Sequence, residues 1–306
     1  MLVVLGGTSL IALFILSLRG HEPAYQGRPL TQWLMQGWNG NAATPFNAET
    51  TAALGHLRSN AVPFLLQWVA DDAPGHGLNS SLKSLVNKLP AGVVPNSLLH
   101  WADAGFHAQR ATVAALAFSV LGDDAQAAVP ELTRLMTSAR ATNASQRAVV
   151  ALMGIGEAGV PPLLTHLADT NAPNRRQVAM ALGWFPSLNP DSTYKTALVP
   201  VVIACLRDPD PAIRSLAVMS LGRPTIVDHA QGFLIAPALT NALGPDSPLS
   251  TRLTAIVELG AFGSAATGAV PRLTLLMADS DVRIRMHATN AILKIAPEAL
   301  ANAPVR

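Results

Sequence analysis

The sequence predicts an all-α chain built from stacked helical hairpins, and three observations predict it. Prolines that follow small or β-branched residues recur at 63, 95, 130, 161, 200, 237 and 271, with spacings of 32, 35, 31, 39, 37 and 34. Arginines that open apolar, helix-spaced segments recur between them at 110, 147, 176, 214, 252 and 285. The composition agrees: 50% of the 306 residues are hydrophobic, only 13% are charged, and alanine fills 51 positions. A chain so apolar is not disordered. Small side chains let helices pack closely, which suits an array whose every unit buries its apolar face on the next.

Each element of the period has a physical reason. Pro is tolerated in the first turn of a helix, where its missing N–H has no acceptor to serve. Segments such as Pro130-Glu-Leu-Thr-Arg-Leu-Met and Pro271-Arg-Leu-Thr-Leu-Leu-Met then place apolar residues at helical spacing. The spacing therefore predicts a first helix beginning at each of the seven prolines. The turns that follow are polar. In Asp208-Pro209-Asp210-Pro211 an Asp stands before a Pro, the order of an N-cap and a first helical residue. Asp246-Ser247-Pro248 and Asp279-Ser280-Asp281 repeat the theme, and Asn143 is positioned to cap the helix of Arg147. Second helices run to Leu121-Gly122, Met153-Gly154, Leu182-Gly183, Leu221-Gly222 and Leu259-Gly260. Glycine there can stop a helix or admit a close neighbour.

These units resemble HEAT repeats, in particular the short bacterial kind also called phycobilisome-lyase-type HEAT-like repeats. The resemblance rests on the A-x-P-x-L start, the Asp-containing turn, the early Arg of the second helix and the A-x-x-x-L-G end. It is cleanest at 194–222 and 265–296, weakest at 49–100, and covers about 49–298. It implies a right-handed α-solenoid of about six to seven hairpins. It also implies a structural ladder in which the Asp of one turn meets the Arg of a neighbouring repeat. The candidate ladder residues are Arg110, Arg147, Arg176, Arg214, Arg252, Arg285, Asp208, Asp210, Asp279 and Asp281.

Residues Leu2 to Leu18 carry no charge, and Arg19 ends the run. Seventeen residues make about 25 Å of helix, enough for a thin or adapting bilayer. No A-x-A-like cleavage site follows, so an uncleaved transmembrane anchor over 1–20 is expected. Arg19 and Arg28 both follow the span, which argues for a cytoplasmic solenoid. The opposite, extracytoplasmic side is expected from resemblance: Tyr25-Gln26-Gly27-Arg28-Pro29-Leu30 through Trp33-Leu34 is similar to a segment after the anchor of bacterial single-span HEAT-repeat proteins. The expected organisation is an anchor at 1–20, a linker and cap helix at 21–48, a solenoid at 49–298 and a tail at 299–306. Trp33, Leu34 and Trp38 fall on one amphipathic stretch that would cap the open end of the stack.

A search for chemistry leaves little. Neither a phosphate-binding glycine loop nor H-E-x-x-H, G-x-S-x-G or an EF-hand pattern occurs. Eight histidines are scattered with no two three or four apart, so none forms a local chelate. The iron-binding hydroxylases of the HEAT class repeat a His-Glu dipeptide, and here His21-Glu22 is the only copy. No residue set carries over from the phycobilin lyases. Asp71-Asp72 and Asp123-Asp124 read as turns. The lone Cys205 lies in an apolar run and reads as a buried small hydrophobe. Net charge is +2, and Arg175-Arg176 is the only adjacent basic pair. That is a poor footprint for phosphate binding, so a DNA-binding solenoid like the alkylpurine glycosylases is disfavoured. The expected function is a monomeric, membrane-anchored scaffold for a protein or peptide partner, without cofactor, metal, nucleic acid or catalysis. The alternatives are a lyase or hydroxylase on the same repeats, or a nucleic-acid-binding solenoid.

Overall fold

A computed structural model describes residues 22–42, 44–71, 104–138, 142–188, 194–221 and 232–301. The expected anchor, with Leu2 and Leu18, lies outside the described residues, as does Pro95. No helix among the described residues is long and apolar enough to cross a membrane. The described elements are helical apart from one small hairpin, and they divide into two compact units, Met1–Ile155 and Gly156–Arg306.

The first unit opens with two-residue strands β1 (Ala24–Tyr25) and β2 (Arg28–Pro29), paired antiparallel. Gln26 and Gly27 between them both have positive φ, +50° and +74°, the signature of a type I′ turn. Strands this short leave no alternation in the sequence. Helix α1 (Leu30–Gly37) follows and buries Leu30, Trp33 and Leu34. It packs against α2 (Ala48–Leu57) and α4 (Ala104–Leu121). Asn47 caps α2 by accepting the Thr50 N–H. Gly37 is required where α2 crosses: a Cβ there would stand 1.8 Å from the Thr50 hydroxyl, which itself donates to the Trp33 carbonyl. Helices α3 (Val62–Val69), α5 (Val129–Thr137) and α6 (Thr142–Ile155) complete the unit, with α5 and α6 forming a hairpin and α6 packed along α4.

Among the described residues the second unit holds four hairpins: α7 (Val160–Ala168) with α8 (Arg175–Leu188), α9 (Tyr194–Cys205) with α10 (Pro211–Leu221), α11 (Gly232–Asn241) with α12 (Leu249–Ala261), and α13 (Val270–Leu276) with α14 (Val282–Ile295). The short α15 (Glu298–Ala301) follows and packs on α14. Each second helix packs along the next: α8 on α10, α10 on α12, α12 on α14. Cores are aliphatic and small, with Ile213, Val218, Ile256, Leu259, Ile284 and Ala288 all buried. This is the stacking that the mid-thirties period requires.

The prolines behave in two ways. Pro63, Pro130, Pro161 and Pro271 stand in the first turn of α3, α5, α7 and α13. Each follows a 3₁₀ turn (Arg58–Ala61, Gly122–Ala128, Glu157–Gly159, Gly263–Ala269). Pro200 and Pro237 correct the expectation, since both lie inside α9 and α11. The chain before them is already helical, from Tyr194 and from Gly232, so each helix absorbs one missing N–H. Asn143 also lies inside α6, whose helix begins at Thr142, and so does not stand before its start.

The glycines divide as well. Gly122, at φ +50°, ends α4. Gly154, Gly183 and Gly260 lie within helices, where the next or preceding second helix comes close. A Cβ on Gly154 would stand 2.8 Å from the backbone nitrogen of Ser119 on α4, which no rotamer change relieves. Gly154→Ala is therefore expected to cost about 1–3 kcal/mol in urea unfolding. Gly55→Ala, in open space on α2, should instead gain about 0.4–1 kcal/mol. Equal effects at the two sites would refute the close-approach reading.

Candidate interaction surface

The second helices of the second unit share a register counted from Arg175, Arg214, Arg252 and Arg285. Eight residues after the first and third stand Gly183 and Gly260, which face Ser220 of α10 and Ala291 of α14. Five residues after the first three stand Met180, Met219 and Val257, exposed by 42%, 51% and 44%. Neighbouring helix axes in such packing lie about 8–10 Å apart, so equivalent positions repeat at that interval. Beside them lie the half-buried Leu216 and Leu253. The result is a row of partly exposed apolar side chains across α8, α10 and α12. Methionine, unbranched and polarisable, adapts its shape to whatever it touches.

The arginines and aspartates hold these helices in register. Arg175 is buried; its Nε and Nη2 donate to the Leu167 carbonyl at the end of α7, at 3.1 and 3.0 Å. The same guanidinium donates through both Nη atoms to the Asp208 carboxylate, in the turn before α10. Asp208 also accepts the Asp210 N–H at 2.9 Å. One side chain thus ties a first helix to the turn of the following repeat. Arg252 makes the matching link to Asp279, which accepts the Asp281 N–H at 3.0 Å. Arg176 is exposed and pairs with Asp210 at 2.6 Å, a second link across the same repeat boundary. Arg214 and Arg285 turn back on their own turns, donating to the carbonyls of Asp208 and Pro209, and of Asp279 and Ser280. In the first unit, Arg147 donates to the carbonyls of Val69 and Asp71, and Arg110 lies 3.7 Å from the Asp71 carboxylate and over the Trp68 ring.

Arg175 was missed in the sequence because its neighbour Arg176 fitted the same period. The signal that separates them is the distance to the helix-internal glycine: eight residues for Arg175 and Arg252, and seven for Arg176. The second aspartate of each turn also works locally. Asp210 and Asp281 accept the N–H groups of Ala212 and Arg283 at 2.9 and 2.8 Å. Hydrogen bonds from Arg176 hold the Asp210 carboxyl below its ordinary range. Those from Arg283 bring Asp281 down to about 2, and the Asp281 N–H and Arg252 lower Asp279. A carboxylate with a depressed folded value stabilises above its unfolded value of about 3.9 and loses that contribution as pH falls below it. Thermal stability is accordingly expected to decline from about pH 5 towards pH 2, and Asp281→Asn should flatten the decline. An unchanged acid limb in that variant would sink the assignment.

Cys205 lines a small apolar cavity between hairpins with Leu167, Leu182, Leu198 and Ile213. Burial, and then the nearby Asp208 charge, pushes its thiol up to about 11. At pH 8 it should react with Ellman's reagent only on unfolding; rapid labelling of the native chain would contradict the buried reading. His166 is buried with Nε2 against the Pro173 carbonyl, a structural role. Among the described residues no group of three or more His, Cys, Asp or Glu could hold a metal ion.

The architecture defines a helical-hairpin repeat protein. A family profile described as HEAT repeats matches residues 160–230, which covers α7 to α10 and the Arg175–Asp208 link. The crystal structure of an engineered protein is similar at 17% identity and a TM-score of 0.42, over 88% of this chain and 96% of that one. No curated protein matches.

Proposed function

We propose that the chain is a HEAT-repeat scaffold that binds a protein or peptide partner through the second-helix surface of residues 156–306, without catalysing a reaction. The carrying observation is the row of Met180, Met219 and Val257, exposed at one register position in three successive helices. An isolated exposed apolar residue is ordinary, whereas a repeated one forms a continuous strip suited to a partner's apolar side chains. HEAT repeats in general serve as protein-interaction scaffolds, which supports the same reading. The uncharged run at 2–18 supports a membrane anchor at 1–20, followed by a linker and cap at 21–48, repeats over 49–298 and a tail from 299. The placement of the repeats outside the cytoplasm rests on the likeness of residues 25–34 to such anchored proteins.

Photo-crosslinking tests the binding surface. A benzophenone amino acid at 180, 219 or 257 should trap one common partner from solubilised membranes, and one at 165 on α7 should not. Equal trapping at all four positions, or none, counts against the strip. A reporter fused to the C-terminus and active on one side of a membrane only reads the orientation. An enzymatic reading would be favoured instead by a bound metal with two or more histidine ligands.

A further inference from the structure

The apolar row of the second unit carries a chemistry that its packing does not use. Among the described residues three methionines are exposed, Met180, Met219 and Met286, by 42%, 51% and 53%. All three lie on second helices, α8, α10 and α14. Met136 on α5 is fully buried. Met180 and Met219 are two of the three members of the row, and the third, Val257, has no sulfur.

The chain offers an oxidant little else to attack. Its one thiol, Cys205, is 9% exposed. Burial pushes that thiol up to about 11, so at neutral pH it is not the reactive thiolate. A two-electron oxidant therefore meets exposed thioether sulfur first. The setting of the two methionines also lets them change without loss of the fold. Met180 is flanked by Ala179 and Ala181, and Met219 by Val218 and Ser220, all four buried. The flanking residues supply the packing, and a polar group added at 180 or 219 takes nothing from the core. Within the row the same group is disruptive, because an apolar partner offers no donor to a sulfoxide oxygen.

We propose that Met180 and Met219 form a reversible oxidation site that switches the row from apolar to polar. The reactant is a hydroperoxide, of which hydrogen peroxide is the simplest. Each thioether sulfur attacks one peroxide oxygen; the O–O bond breaks and an S–O bond forms. The sulfur-bound hydroxyl gives its proton to the departing hydroxide, which leaves as water. Sulfur has then lost the two electrons that the peroxide gained. A sulfoxide reductase restores the thioether. The effect on a partner rests on the row being the binding surface proposed above.

Peroxide treatment of the full chain in detergent, then digestion and mass spectrometry, tests the site. Met180 and Met219 should convert at least about tenfold faster than Met136, with circular dichroism unchanged. After removal of the peroxide, crosslinking to solubilised membranes through a benzophenone amino acid at 257 should fall about tenfold per sulfoxide. Methionine sulfoxide reductase should restore it. The Met180→Leu, Met219→Leu chain should crosslink equally before and after peroxide. Met286→Leu, outside the row, should respond like the unaltered chain. Equal oxidation of Met136, or loss of helix when Met180 and Met219 convert, overturns the proposal. Unchanged crosslinking by the fully oxidised chain also overturns it and leaves the binding surface standing. An absence of crosslinking at 257 before any oxidation removes the binding surface and the switch with it.

Discussion

Phe118→Ala is expected to destabilise the first unit by about 3–5 kcal/mol, the usual cost of emptying an aromatic site in a packed core. Phe118 is fully buried on α4, the helix against which α1, α2, α3 and α6 all pack. Gly154 of α6 closes on the backbone at Phe118 and Ser119, so that part of the site cannot collapse inward without moving a helix. The cost therefore combines lost apolar burial with a cavity that relaxes poorly. Phe118→Leu should cost less, since it keeps most of the volume. Phe233→Ala, at a residue 62% exposed on α11, should stay within about 0.5 kcal/mol. Urea unfolding of the three variants gives the comparison, and a cost below about 1 kcal/mol for Phe118→Ala would mean that this core is not the one described.

Asp208→Ala is expected to cost about 3 kcal/mol, close to the lower end for breaking a buried ion pair. The Arg175 and Asp208 side chains are only 9% and 7% exposed. Removing the carboxylate leaves a guanidinium partly buried against a single carbonyl, that of Leu167, and frees the Asp210 N–H as well. Removing both charges should cost less than removing one, so Arg175→Met with Asp208→Ala should recover part of the loss. The exposed Arg283, paired with Asp281 beside it in the chain, provides the contrast, and Arg283→Ala should change stability little. A double variant as unstable as the sum of the two singles would show that the pair acts as independent contacts rather than a coupled link.

Much of the architecture was legible in the sequence because it depends on local chemistry repeated at one interval. Pro130 and Pro271 mark helix starts because a first turn has no use for their missing N–H. Asp210 and Asp281 cap helices because a carboxylate can accept the free N–H groups of a first turn. Pro200 and Pro237 follow the same period and still lie inside helices, because a helix held by tertiary packing tolerates one lost hydrogen bond. The hairpin at residues 24–29 left only Gln26-Gly27 as a trace, too short to show a strand pattern.

The interaction surface was far less legible. An apolar side chain looks the same in a list of residues whether it is buried or exposed. Met180 and Leu182 are adjacent in period and alike in character, yet one is 42% exposed and the other buried. Only the packing of one second helix on the next decides between them, and the same packing decides that Arg175 rather than Arg176 turns inward. By itself, then, the sequence determined the hairpin, its period and most of its caps, which arise from interactions within a few residues. The tertiary structure alone decided which arginine links adjacent repeats, which glycine admits a neighbour and which apolar positions remain open. Those depend on residues about one repeat apart being brought within contact distance, and no local rule encodes that distance.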